Sequence, residues 1–344
     1  MTRPVLEISR RVFRENIAAV RTQIAPSALM LVMKDDAYGH GLEWAVDEAD
    51  ELSWFGGYDI ATALRIRARR PGEARVIAWA TSPDDEVAAA LDADVDLGVG
   101  TLPYLHRVSA QAERTGRTAR VHLKIDTGLH RNGIRSEDWS AVVAAARDAE
   151  RRGSVSVVGV WSHLAEASDA EDDVAAGEFR AAVDALRAAG GTPEVLHLTA
   201  SAASWWRPEL RGDLCRIGAF CFGIRSADGP PIPGVRPIAQ LCATVHEVRD
   251  GRARIGIGAF DGLPSTLAGA AIGTPAGARL LREVSAFDSI VEAWPGARKG
   301  DEVRLFGRGD HGEQDATALA ERIDTVGEEI LTRLSPRVQR VVVP

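Results

Sequence analysis

This 344-residue sequence has little cysteine, little tyrosine and no long apolar run. Cys215, Cys221 and Cys242 are an odd, scattered set without the paired spacing of a zinc site or a disulfide framework, so free thiols in a reducing compartment are expected. No stretch approaches the ~18 apolar residues of a membrane-spanning helix. The start, Met1-Thr2-Arg3-Pro4, has no apolar segment of the kind a secretory signal carries. Basic residues are outnumbered: a net charge of −8 and a pI near 5.6 argue against the basic face that non-specific nucleic-acid binding requires. Internal repeats and low-complexity tracts are missing as well. A cytoplasmic globular protein remains, with 45% hydrophobic and 26% charged residues, long enough for one large domain and a smaller one.

From about residue 29 to residue 220, short apolar runs alternate with longer amphipathic stretches. The runs are Leu29–Met33, Arg75–Ala80, Val95–Val99, Val121–Ile125, Val155–Trp161 and Val195–Leu198. Between them the chain is Ala-rich, and Phe179, Val183 and Leu186 fall on one helical face. Repeated strand–helix alternation predicts an α/β fold with a parallel sheet, and about eight units would close a (β/α)8 barrel. Doubly wound sheets share the alternation. The stretch Asp228-Gly229-Pro230-Pro231-Ile232-Pro233-Gly234-Val235-Arg236-Pro237 marks a boundary, dividing a barrel over 1–228 from a smaller β domain over 229–344. The second part has short Val/Ile/Ala runs between turns, a short helix over Ala316–Ile323 and a last strand near Val338–Val343.

The densest chemical signal is Met33-Lys34-Asp35-Asp36-Ala37-Tyr38-Gly39-His40-Gly41-Leu42, which follows the apolar run Leu29–Met33. A lysine at the end of a buried strand either snorkels to solvent or serves as a nucleophilic amine that holds an aldehyde. Four more segments keep it company: Val121–Gly128 running on to Arg131-Asn132-Gly133, then Ser162-His163-Leu164-Ala165, Ala200-Ser201-Ala202-Ala203 and Arg216-Ile217-Gly218. The tail from Gly327-Glu328-Glu329-Ile330 to Arg337-Val338-Gln339-Arg340 completes the set. In order and spacing these resemble the alanine racemase family of fold-type III pyridoxal-phosphate enzymes, over nearly the whole chain.

The resemblance implies pyridoxal 5′-phosphate as cofactor, a small amino acid as substrate, and a head-to-tail homodimer. Lys34 would be the catalytic residue and carry the cofactor as a Schiff base. Tyr38, Ser201 and the backbone around Gly218 would bind the phosphate. Arg131 would contact the phenolic oxygen with Lys124 behind it, a lysine that is carbamylated in many members of the family. Arg216 would face the pyridine nitrogen, with His163 between ring and arginine. Arginine has donors and no acceptor, so the nitrogen opposite it must stay unprotonated, which makes the cofactor a weak electron sink.

The pattern breaks on the half-site that the family's partner subunit supplies. The family's catalytic tyrosine, in a G-Y-A-D-G segment, corresponds to Ala259 in Gly258-Ala259-Phe260-Asp261-Gly262. The chain's three tyrosines, Tyr38, Tyr58 and Tyr104, lie far from it in sequence. The carboxylate-binding S-M-D segment reads Ser285-Ala286-Phe287-Asp288, the last phosphate tyrosine falls on Val342, and the Asp250–Gly256 connection is about a dozen residues short, as if a hairpin were missing. In the barrel, Asp35-Asp36 replaces Ala-Asn and Ala200 replaces an asparagine. Three readings follow: an enzyme acting at Cα through Lys34 with two-base racemisation weakened or replaced; a working racemase with a substitute acid such as Asp261, Asp288 or His311; or a cofactor-binding carrier or regulator without turnover.

Overall fold

The computed structural model describes residues 3–72 and 74–344; Met1 and Thr2, read above with the N-terminus, lie outside the described residues. The chain forms two units. One comprises Val20–Lys34 and Leu42–Gly218; the other takes the stretch ending at Ala19, Asp35–Gly41 and Ala219–Pro344.

The first strand, β1 (Val5–Ser9), belongs to the second unit. The first unit is built on eight parallel strands: β2 (Ala28–Val32), β3 (Trp54–Tyr58), β4 (Arg75–Ala78), β5 (Asp96–Val99), β6 (Ala119–Lys124), β7 (Val155–Trp161), β8 (Val195–His197) and β9 (Leu214–Ile217). They run in the order β8-β7-β6-β5-β4-β3-β2-β9. The ring is nearly closed: the Arg216 N–H donates to Thr199 O at 3.2 Å, just beyond β8, and the Leu196 N–H to Asp213 Oδ2 at 2.8 Å. This is the expected (β/α)8 barrel. Strands buried on both faces read as continuous apolar runs, which is why six of them are visible in the sequence. Helices start where side chains accept the first free N–H groups, as Asp59 does from Thr62 and Thr101 from Tyr104. The stripe Phe179, Val183 and Leu186 is buried as expected.

Strand β3 carries Gly56-Gly57 in its middle because its neighbours fill the space. A Cβ on Gly56 would lie 2.8 Å from the Trp79 ring, and one on Gly57 2.7 Å from the Ala63 backbone nitrogen.

The second unit is a curled, mostly antiparallel sheet. It contains β1, β10 (Ala239–Arg249), β11 (Arg252–Ile255), β12 (Ala271–Ile272), β13 (Arg279–Val284), β14 (Ser289–Glu292), β15 (Glu302–Phe306) and β16 (Gln339–Val343). The order is β12-β13-β14-β11-β10-β1-β16, with β15 also on β10. The apparent missing hairpin is a two-residue turn: Asp250 and Gly251 both have positive φ (49° and 71°), and Arg249 pairs directly with Arg252. That is the geometry a tight antiparallel hairpin favours. The expected short helix spans Ala316–Glu321 and the last strand Gln339–Val343.

After Lys34 the chain makes a left-handed turn. Asp35, Asp36, Ala37 and Tyr38 all have φ between 53° and 55°, and Gly39 and Gly41 follow at 78° and 98°. The turn therefore begins three residues before the Tyr38–Gly41 turn read from the sequence. Aspartate enters this region more readily than most residues, which accounts for the acids at 35 and 36.

Candidate active site

Barrel chemistry collects where the strands end. Lys34 lies two residues past β2, Lys124 ends β6, Trp161 ends β7, His163 lies two residues further on, and His197 ends β8. Arg216 is the third residue of β9 and is 4% exposed. Its Nη1 donates to His197 O at 2.7 Å, and its Nη2 to Ser162 O at 2.7 Å and Leu198 O at 3.0 Å, with His163 Nδ1 at 3.5 Å. Three carbonyls at two nitrogens fix the plane of the guanidinium and leave Nε out of these bonds. Burial lowers Arg216 to about 9, against the pull of Cys215 and Glu166, so it remains a cation at neutral pH.

Trp161 forms the floor. Lys124 Nζ lies 4.6 Å and the Arg216 guanidinium carbon 5.0 Å from its ring centroid, and the His197 ring stacks on it at 5.6 Å and 8°. Cations over an indole face are held by its quadrupole, most strongly away from water.

His163 is half-buried, and its pKa falls to about 3, first through burial and then through the charges of Arg216, Arg131, Lys124 and Lys34. It is a neutral imidazole at any working pH. Lys124 falls to about 8 through burial, Arg216 and Arg131, with Asp126 opposing. Asp126 is engaged by its own loop: Oδ1 accepts the Gly128 and His130 N–H groups at 3.2 and 3.0 Å. Four cations thus converge on one imidazole, which is the electrostatics of a site for anionic groups. Pyridoxal phosphate fits that demand: it brings a phosphate and a phenolic oxygen, and Lys34 offers the amine its aldehyde requires.

Of the residues expected from sequence, Lys34, Arg131, His163 and Arg216 are brought together here, with Lys124. Arg131 is exposed on the loop after β6. Ser201 is the first residue of the helix Ser201–Trp206, and Gly218 directly follows β9 and is buried. Tyr38 belongs to the second unit, 4% exposed, its ring 5.2 Å from Phe222 and its hydroxyl hydrogen-bonded to the Ala219 backbone. Burial, with Glu328, raises its pKa well above the ordinary value, so it keeps its proton for donation. Trp161, His197 and His122 were not singled out from sequence; the alternation Arg120, His122, Lys124 along β6, all on one side of a strand, was the available signal.

A (β/α)8 barrel whose strand ends gather a lysine amine, two arginines and a neutral imidazole has the make-up of an enzyme that carries pyridoxal phosphate on a lysine. Residues 8–226 match the alanine racemase N-terminal domain and residues 244–342 the alanine racemase C-terminal domain. The chain belongs to the alanine racemase family and is a pyridoxal-phosphate-dependent enzyme of the isomerase class. It is 36% identical to the alanine racemase of Thermobifida fusca, over 95% of this chain and 94% of that protein. It is 36% identical also to that of Beutenbergia cavernae, over the same shares. The crystal structure of alanine racemase from the D-cycloserine-producing Streptomyces lavendulae superposes with a TM-score of 0.94 at 31% identity, covering 100% of this chain and 98% of that one. No helix among the described residues is long and apolar enough to cross a membrane.

Proposed function

We propose that the chain acts at Cα of a small amino acid, with Lys34 as the acid/base group on one face and with opposite-face proton transfer weakened or replaced by a one-base exchange. The observation that carries this reading is Ala259 at the tyrosine position. It lies in a short 3-10 turn, Ala259–Asp261, and a methyl group moves no proton. The altered segments are joined: the Ala259 N–H donates to Ser285 O at 2.8 Å and the Phe260 N–H to Ala286 O at 2.9 Å. What they present is apolar, since Phe260 and Phe287 are 61% and 56% exposed with ring centroids 5.0 Å apart. Two candidate substitutes are already engaged. Asp261 is buried and accepts the Gly258 N–H at 2.9 Å and Arg337 Nε at 2.8 Å; Asp288 accepts Arg254 Nη1 at 2.9 Å. His311 sits in the turn before Glu313, whose Oε2 accepts its backbone N–H at 2.9 Å.

When bound, the cofactor supplies an electron sink for negative charge at Cα. Lys34 Nζ takes and returns the Cα proton on its own side. Arg216 holds a donor toward the ring nitrogen, His163 keeps the guanidinium company as a neutral group, and Arg131, with Lys124 behind it, contacts the phenolic oxygen. Tyr38, Ser201 and the backbone at Gly218 bind phosphate. A homodimer in which a partner brings the 258–288 surface over this site completes the reading, and the three buried free thiols suit a cytoplasmic setting. Losing one positioned acid/base group typically costs ~10²–10⁴-fold.

Each enantiomer of several small amino acids is incubated with the holoenzyme in deuterated water while Cα–H is followed by NMR. The D-enantiomer is expected to wash in deuterium with configuration retained, and the L-enantiomer to stay protonated. Equal exchange of both would establish a second base and favour the alternative reading, an ordinary racemase, which the names of the 36%-identical relatives support. Cofactor binding with no exchange from either would leave a carrier or regulator.

A further inference from the structure

A second polar system runs through the barrel interior beneath the site. His197 Nδ1 lies 3.3 Å from Arg216 Nη1, His197 Nε2 lies 2.9 Å from His122 Nδ1, and His122 Nε2 lies 3.1 Å from Asp96 Oδ2. Asp96, His122 and His197 are fully buried and Arg216 nearly so. Asp96 is the first residue of β5, so it lies at the opposite end of the strands from Lys124 and Trp161. There Oδ1 accepts Arg120 Nε at 2.6 Å, and Oδ2 accepts Arg75 Nε at 3.0 Å and Nη2 at 2.5 Å. Burial opposes charge on this carboxyl, but the His122 and Arg75 hydrogen bonds prevail and hold it at about 2.

The proton positions along this chain are determined from both ends. A guanidinium has no acceptor, so His197 Nδ1 must offer it a lone pair, and the proton of this imidazole is on Nε2. Burial, with the charge of Arg216, keeps His197 from taking a second proton. Its Nε2–H then requires His122 Nδ1 to accept, which puts the His122 proton on Nε2. A carboxylate has no donor, and it is waiting there. Every hydrogen bond points one way, from Arg216 to Asp96.

We infer that Asp96 is a positioning residue for Arg216, acting through His122 and His197 by fixing the tautomer of both imidazoles. The inference rests on the proposal that Arg216 faces the cofactor ring. With the lone pair of His197 held toward it, Nη1 is tied to one imidazole and one carbonyl, and the guanidinium keeps a single orientation. Reversing His197 would set two donors against each other at Arg216 and release that orientation, and reversing His122 would set two donors against each other at His197 and so drive that reversal. Gly159 makes room for the middle link, since a Cβ there would lie 2.2 Å from His122 Nδ1.

Histidine-selective nitrogen-15 NMR of the holoenzyme tests this without turnover. In the wild type His122 and His197, assigned by single-histidine substitution, should each be neutral with a protonated Nε2 and a bare Nδ1. Asp96→Asn, whose amide offers a donor as well as an acceptor, should mix the tautomers, and kcat should fall roughly tenfold or more while KM moves less than about twofold. Should Asp96→Asn fail to fold beside Arg75 and Arg120, Gly159→Ala breaks the same link without removing a charge and should give the same signature. A proton on Nδ1 of His122 or His197 in the wild type, or variants in which the tautomers of these two are unchanged, would overturn the inference. If the wild type turns out to have no turnover, the catalytic reading falls and the tautomer spectrum still decides the role of Asp96.

Discussion

Exposure of the protein to isotope-labelled carbon dioxide interrogates the cationic cluster at a single atom, Lys124 Nζ. Carbamate forms from a neutral amine, and burial together with Arg216 and Arg131 brings this lysine from 10.5 to about 8. A fall of about 2.5 units raises the neutral fraction near neutral pH about 300-fold over an ordinary lysine. The product replaces a positive charge by a negative one among Arg131, Arg216 and Lys34, so the neighbouring cations that discourage the ammonium favour the carbamate. The chain has only three lysines, Lys34, Lys124 and Lys299, which makes a carbon NMR assignment simple. One carbamate resonance is expected, absent in Lys124→Met. The same shift makes a stability claim. The folded pKa lies below the unfolded one, so the ammonium is a full penalty below pH 8 that fades as pH rises from 8 toward 10.5. The penalty is about 3 kcal/mol at most. Lys124→Met should therefore stabilise the carbon-dioxide-free protein against urea at pH 7 by up to that amount, and less at pH 9.5. A variant less stable than the wild type at pH 7, or a carbamate that survives the substitution, refutes the electrostatic account.

Lys34→Ala should abolish the visible absorption of the cofactor-loaded protein and leave the far-ultraviolet circular dichroism unchanged; retained colour would move the attachment point to another lysine. Ala259→Tyr should restore little racemisation of alanine, as read by polarimetry or a coupled assay, because Phe260 and Phe287 still form the exposed surface beside it. Recovery to within about tenfold of an ordinary racemase would show that the hydroxyl alone had been missing.

The barrel strands that escaped sequence reading did so for identifiable reasons. In β3, Gly56-Gly57 reads as a loop because glycine weakens strands; it is there because Trp79 and Ala63 occupy the space a side chain would take. In β9, four residues with a cysteine and an arginine among them lack the apolar run of a buried parallel strand. The N-terminal strand β1 pairs with β10 and β16, more than 200 residues away, and no local pattern announces so distant a partner. Asp35 and Asp36 show in the sequence only as a departure, in place of Ala-Asn. Their φ values near 53° give them a backbone role that composition cannot display.

The candidate site was legible as positions, since Lys34, His163 and Arg216 each stand in a motif of their own, and illegible where a property is shared among elements. Lys124 stood out in its motif, yet its lowered pKa belongs to burial inside the barrel and then to Arg216 and Arg131, which lie on other elements. His122, two residues earlier, faces the same interior and carries no sign of its partners, because Asp96 and His197 come from β5 and β8. Each imidazole taken alone is the bland case of a buried, satisfied histidine. Joined to a donor-only guanidinium above and an acceptor-only carboxylate below, the pair can be protonated in one way only. That constraint is a property of the nearly closed ring of strands, since it exists only once β5, β6, β8 and β9 bring their side chains to one interior, and so the orientation of Arg216 is set in part from the opposite end of the strands.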